Sequence, residues 1–185
     1  MDRASLFSGT KDVDLKLLLD HDSLEKYLRN LLGNDTNLLD IKQFKGGQSN
    51  PTYLVQTNLK SFVLRRKPPG KLLASAHAVD REYKVISALN KTDVPVPKTY
   101  DFCEDVNVAG TPFFLMDHVE GNIFWDLLLT KCSAEERSKI YWSMNDTIAK
   151  LHNTDFKSIG LGDYGKYENY MARQIARWSK QYKDS

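Results

Sequence analysis

Phe44-Lys45-Gly46-Gly47-Gln48-Ser49-Asn50 places two adjacent glycines and a run of small polar residues between two strand-like segments. Backbone of this kind can wrap a phosphate. Glycine admits positive φ and brings bare N–H groups close to an anion, while Ser49 and Asn50 add hydroxyl and amide donors. The same residues also suit a plain hairpin turn between residues 41–44 and 52–57, and taken alone they favour that turn.

The downstream sequence shifts the balance. Ser61-Phe62-Val63-Leu64-Arg65 is a β-rich run ending in a cation, and a helix-patterned segment follows it. In that segment Val79, Tyr83, Ile86 and Leu89 are spaced by four, three and three, which makes one apolar stripe. Glu82 falls inside the stripe and projects between Ile86 and Leu89, so a carboxylate is aimed at the face due for burial. An unpaired buried carboxylate costs several kcal/mol, roughly, and therefore needs a partner. Arg65, at the end of the preceding strand, is the best candidate. A position at the edge of the stripe, paired locally with Arg81 or Lys84, is the alternative.

Glycine loop, strand-borne cation and helix-borne glutamate, in that order, form the grammar of a kinase amino lobe. The chain resembles the aminoglycoside phosphotransferase-like kinases, and more closely the kinase-like domain at the amino end of certain acyl-CoA dehydrogenase family proteins. The residues carrying the resemblance are GGQSN at 46–50, FVLRRKPPGKLLASAHAVDREY at 62–83, VPVPK at 94–98 and GTPFFLMDHVEG at 110–121. The resemblance implies ATP as the nucleotide. Gly46, Gly47, Gln48, Ser49 and Asn50 would enclose its phosphates, Arg65 would bind them and Glu82 would orient Arg65. Met116, Asp117 and His118 would form a hinge presenting main-chain groups to the adenine edge. It also implies a hydroxyacyl-CoA acceptor.

Arg65 stands where protein kinases carry lysine. Its planar fork can hold a phosphate and Glu82 together, which a point charge does less well. Arg66, next in an alternating strand, points to the opposite face. Kinases of this superfamily place their catalytic aspartate in a His-Gly-Asp loop and their Mg²⁺ ligands in that loop and a later acidic motif. No His-Gly-Asp occurs in this chain. The expectation is therefore an amino lobe with the first helices of a carboxyl lobe, truncated before the catalytic loop. No catalytic or metal residue is assigned, and the Mg²⁺ ligands are expected beyond residue 185. A non-catalytic interaction or regulatory module that keeps the lobe is the alternative.

Composition narrows the classes. A net charge of +2, with 41% hydrophobic and 27% charged residues, fits a globular domain and gives no reason to expect nucleic acid. The basic cluster Arg65-Arg66-Lys67 lacks the interleaved aromatics that stack bases. Cys103 and Cys132 make no disulfide framework and point to an intracellular, reducing compartment, with cytoplasm, peroxisome and mitochondrion not distinguished. No apolar run is long enough to span a membrane. His21, His77, His118 and His152 lack zinc-ligand spacing. Asp155 and Asp163-Tyr164-Gly165 echo catalytic and metal motifs superficially, but their order and spacing are wrong and a structural role is favoured.

All six prolines lie between Pro51 and Pro112, which separates a β-rich region from a helical one. The fold expected is α+β: a protein-kinase-like amino lobe with a five-stranded antiparallel sheet and a central helix, then the first helices of the carboxyl lobe. Residues 1–19 are expected as an extension, 20–117 as the amino lobe and 118–185 as the hinge exit and helical part. A first helix is expected to open at Asp22, with Glu25 three residues on, and to stop at Gly33; Ser133 and Glu136 form a capping box for a later one. The apolar stripes beyond residue 123 would be left uncovered by the truncation, so self-association through that face is expected.

Overall fold

The computed structural model describes residues 6–46, 49–70, 77–165 and 168–184. Its sheet contains β1 (Thr10–Lys11), β2 (Leu38–Phe44), β3 (Thr52–Thr57), β4 (Ser61–Arg66), β5 (Thr99–Cys103) and β6 (Phe113–Asp117). They run antiparallel in the order β1-β2-β3-β4-β6-β5. Five are the strands expected from the pattern. The sixth, β1, comes from the segment read as an extension: Thr10 lies opposite Phe44 and Lys11 opposite Gln43. Two residues are too few to show an alternating pattern, and the pairing uses only backbone groups.

Alternation along β4 sets the layers. Phe62 and Leu64 face one side, where they join Tyr53, Val55, Phe113 and Leu115 in the principal core. Helix α1 (His21–Leu32) covers that side with Leu24 and Leu28, both fully buried. Each large side chain so buried contributes roughly 1.5–3 kcal/mol. The α1 cap differs from expectation. Asp20 is the N-cap, its carboxylate accepting the Ser23 N–H at 2.8 Å. Glu25 instead accepts the Leu38 N–H at 3.0 Å and pairs with Arg29 at 2.7 Å, so a tertiary contact claims the residue that resembled half of a capping box.

Arg66 is on the α1 side with the core, almost fully buried. It donates to the carbonyls of Ala109 at 2.6 Å and Leu17 at 3.2 Å, and its guanidinium lies over the Tyr53 ring. Tyr53 also donates to Leu17 O, at 2.8 Å, and burial pushes its hydroxyl up to about 12. Residues ahead of α1 are thereby fastened to the core of the lobe.

The opposite face of the sheet carries α2 (Val79–Leu89). Val79 and Leu89 are buried, and Tyr83 stacks on Phe102 and leans against Phe114, with centroids 5.6 and 5.9 Å apart. After the one-turn helix α3 (Val106–Ala109) and β6, the chain enters α4 (Ala134–Asn153) and α5 (Tyr170–Asp184). The capping box of α4 forms as the sequence indicates, Ser133 and Glu136 each accepting the other's N–H. Burial does not follow. No α4 residue is buried, and Trp142 and Trp178 are 68% and 62% exposed.

Phe113, fully buried and edge-on to Tyr27 at 5.2 Å, joins the sheet to α1. Phe113→Ala is expected to lower the stability of the lobe by about 3–5 kcal/mol. Urea unfolding followed by tryptophan-independent far-UV signal measures this as a shifted midpoint at unchanged slope.

Candidate nucleotide site

Arg65 and Glu82 meet between sheet and helix. The β3–β4 register sets Thr52 directly opposite Arg65, on the face that α2 covers. Arg65 Nε donates to Glu82 Oε2, Nη2 to Oε1 at 3.3 Å, and Nη1 to Thr52 Oγ1 at 2.9 Å. The two side chains are 25% and 36% exposed, so the pair is open to a ligand on one edge. A guanidinium has five N–H donors, and these three contacts leave two.

Asn50 is drawn into the same cluster. Its Nδ2 donates to Glu82 Oε1 at 2.9 Å, its Oδ1 lies 3.0 Å from His77 Nδ1, and its carbonyl accepts the Thr52 hydroxyl at 3.0 Å. Its side chain is thus engaged with Glu82 and His77. Ser49 is exposed at the turn, while Gly47 and Gln48 lie outside the described residues. Gly46 is not in the left-handed region. Its glycine eases a close approach instead, because a Cβ there would sit a tight 3.1 Å from the Phe7 carbonyl. The neighbouring Lys45 N–H donates to Gly9 O at 3.1 Å. Phe7 packs against Trp125 at 5.6 Å, and Trp125 Nε1 donates to Ser8 Oγ at 2.6 Å.

Beside this cluster lies a cavity of about 800 Å³, lined by Phe44, Thr52, Val63, Met116, His118 and the Pro95–Pro97 stretch among others. Thr52 belongs to both cavity and cluster. Val63 and Met116 are cross-strand neighbours forming its floor, and the Phe44 and His118 rings stand 6.2 Å apart at its side. An apolar, partly open slot next to an arginine suits a flat heterocycle carrying an anionic tail.

Asp117 lines the cavity by backbone position, but its polar groups are committed to the sheet. Its N–H donates to Lys98 O at 2.8 Å, and its carboxylate takes hydrogen bonds from Lys60 and from Tyr100, the latter at 2.8 Å. Partial desolvation works to raise the Asp117 carboxyl, yet the hydrogen bonds from Lys60 and Tyr100 outweigh it and hold the group below its ordinary value. Asp163 is likewise engaged, 2.9 Å from Lys84 Nζ, and Asp155 accepts the Lys157 N–H at 3.0 Å. Among the described residues no three His, Cys, Asp or Glu side chains are grouped to hold a metal ion. Nor is any helix long and apolar enough to cross a membrane.

Sequence reasoning does not single out Thr52 or the residue 6–9 strap, and it weighs His77 only for zinc-ligand spacing. Thr52 could have been found from hairpin register, since a short β3–β4 turn fixes which residue faces Arg65.

The fold is kinase-like, that of a phosphotransferase. The sequence profile described as the Phosphotransferase enzyme family matches residues 40–185, and the chain belongs to that family. A crystal structure from Ralstonia eutropha JMP134, assigned as an aminoglycoside phosphotransferase, superposes with a TM-score of 0.76 at 46% identity. It covers 90% of this chain and 48% of its own. A probable acyl-CoA dehydrogenase of Arabidopsis thaliana is 48% identical over 171 residues, and acyl-CoA dehydrogenase family member 10 of Mus musculus 41% over 176. They cover 88% and 95% of this chain, but only 21% and 16% of their own length. The chain therefore spans a small part of these curated relatives.

The sign of the Asp117 shift gives a pH test. A carboxyl held low in the fold contributes stability that is present above its unfolded value and lost as pH falls through the folded one. Asp117→Asn is expected to be less stable than the unsubstituted chain by about 1 kcal/mol or less at pH 7, given the exposure of Lys60. The gap should close below about pH 4, as thermal melts at stepped pH would show.

Proposed function

We propose that this chain is the nucleotide-binding portion of an ATP-dependent small-molecule kinase that transfers phosphate to an alcohol. The observation that carries the reading is the Arg65–Glu82 pair, with two arginine N–H donors left over beside an apolar slot. The slot takes the adenine and Arg65 takes phosphate oxygens through charge-assisted hydrogen bonds. Gly46 and Ser49 flank the phosphates. Met116 and His118 flank the base. The family implies a divalent metal with the nucleotide; the described residues offer no carboxylate set for Mg²⁺, and no step is assigned to it. Likeness to acyl-CoA dehydrogenase family proteins supports a hydroxyacyl-CoA as the acceptor.

Titration of the chain with a fluorescent ATP analogue tests the reading. ATP should bind more tightly than adenosine, and Arg65→Ala should weaken ATP by about 10- to 100-fold, the range of one or two hydrogen bonds to a charged group, while leaving adenosine unchanged. Equal affinity for ATP and adenosine in the unsubstituted chain would refute it. These residues alone are expected to release no ADP above a no-protein control when given Mg²⁺ and a hydroxyacyl-CoA.

The same 185 residues should also associate with themselves. Met144, Ile148, Met171, Ile175 and Trp178 are each about half exposed or more, giving α4 and α5 apolar faces that water disfavours. Sedimentation velocity is expected to show dimers or larger species, and a clean monomer across the micromolar range would contradict this.

A further inference from the structure

We propose that Asn50, oriented by His77, is a positioning residue that locks Glu82 onto Arg65 and joins the end of the glycine loop to α2. This rests on the nucleotide-binding reading of the site. Hydrogen bonds close into a ring. Arg65 donates to Thr52 Oγ1, Thr52 donates to the Asn50 carbonyl, Asn50 Nδ2 donates to Glu82 Oε1, and Glu82 accepts from Arg65 again.

Chemistry fixes the direction of each member. A carboxylate paired with arginine only accepts, so the amide must turn its nitrogen to Glu82 and its oxygen to His77. The Nδ1 atom of His77 then carries the hydrogen and donates to Asn50 Oδ1. Thr52 has one hydroxyl proton, and with Arg65 donating to its oxygen that proton goes to Asn50 O. No member can rotate without stranding another.

Asn50 is 2% exposed, so water offers little replacement when a partner leaves. Moving α2 outward would break the Glu82 contact and leave a buried amide unsatisfied, which the structure resists. Loop end and helix therefore move as one unit. His77 takes a left-handed backbone conformation, φ 58°, immediately ahead of α2, where its carbonyl accepts the Val79 N–H at 2.9 Å. A non-glycine residue pays for such a conformation only where surrounding contacts demand it. Here the contact is the one to Asn50.

The test compares the unsubstituted chain with Asn50→Ala, the near-isosteric Asn50→Asp, which sets a second carboxylate against Glu82, and His77→Phe. The first readout is the ratio of ATP to adenosine affinity. The second, which needs no nucleotide, is the Arg65 Nε–H resonance and its exchange with solvent, assigned through Arg65→Lys. Asn50→Ala and Asn50→Asp should each weaken ATP about tenfold, leave adenosine unchanged and speed Nε–H exchange. His77→Phe should shift both in the same direction by less. If Asn50 merely supports the fold, ATP and adenosine weaken together and the melting temperature falls in step; that result, or an unchanged Arg65 resonance in a folded Asn50→Asp, overturns the proposal. An unsubstituted chain with no preference for ATP would sink the nucleotide reading, while the Arg65 resonance would still decide the role of Asn50.

Discussion

The pairing register of β3 with β4 governs everything that the site contains. Setting Thr52 opposite Arg65 makes the strand end alternate so that Arg65 faces α2 and Arg66 faces α1. A slip of one residue would exchange them, placing the cation meant for solvent and ligand in the core and the buried one in the cleft. The two arginines have opposite solutions to the same charge. Arg66 is almost fully buried against two carbonyls and a tyrosine ring, and desolvation lowers its affinity for its proton. Arg65 has a carboxylate partner and an open edge. Only the second can receive an anion.

Much of this was legible in the sequence because it follows from local periodicity. The apolar stripe of α2, the carboxylate set within it and the alternation along β4 all rest on repeats of three to four or of two, and the structure has each of them. The capping box at Ser133 is local in the same sense. What could not be seen is non-local. Glu25 is three residues from Asp22, as a box requires, but a strand N–H thirteen residues away claims it. The Trp125–Ser8 bond joins residues 117 apart and leaves no pattern in either segment.

Asn50 shows how a loop donor finds a partner within the fold. Composition marks it as a donor beside a glycine pair, which is the ordinary signature of an anion cradle. A donor in a loop that ends against a helix has a second possible acceptor, and here the Glu82 carboxylate accepts from it at 2.9 Å. Gly46 makes the same point for backbone. Glycine in a turn signals positive φ, yet what it eases here is the approach of the Phe7 carbonyl, from a segment that precedes the lobe's own pattern.

The helix carrying Glu82 is held from two directions, and the spacing of its charges explains how. Arg81 and Lys84 are three residues apart and share a face, while Glu82 is turned away from them towards the sheet. On their side Lys84 pairs with Asp163, and Arg81 donates to Tyr164 O at 3.1 Å with its guanidinium 4.1 Å from the Tyr164 ring centroid. Asp163 is held below its ordinary carboxyl range by the Lys84 hydrogen bond. On the other side stand Arg65 and Asn50. Exposed ion pairs are individually weak, and a stacked guanidinium adds only modestly. Their arrangement is what matters: the contacts lie on two faces of the same helix. The segment after α4 thus touches the helix that carries Glu82 on the face turned away from Arg65.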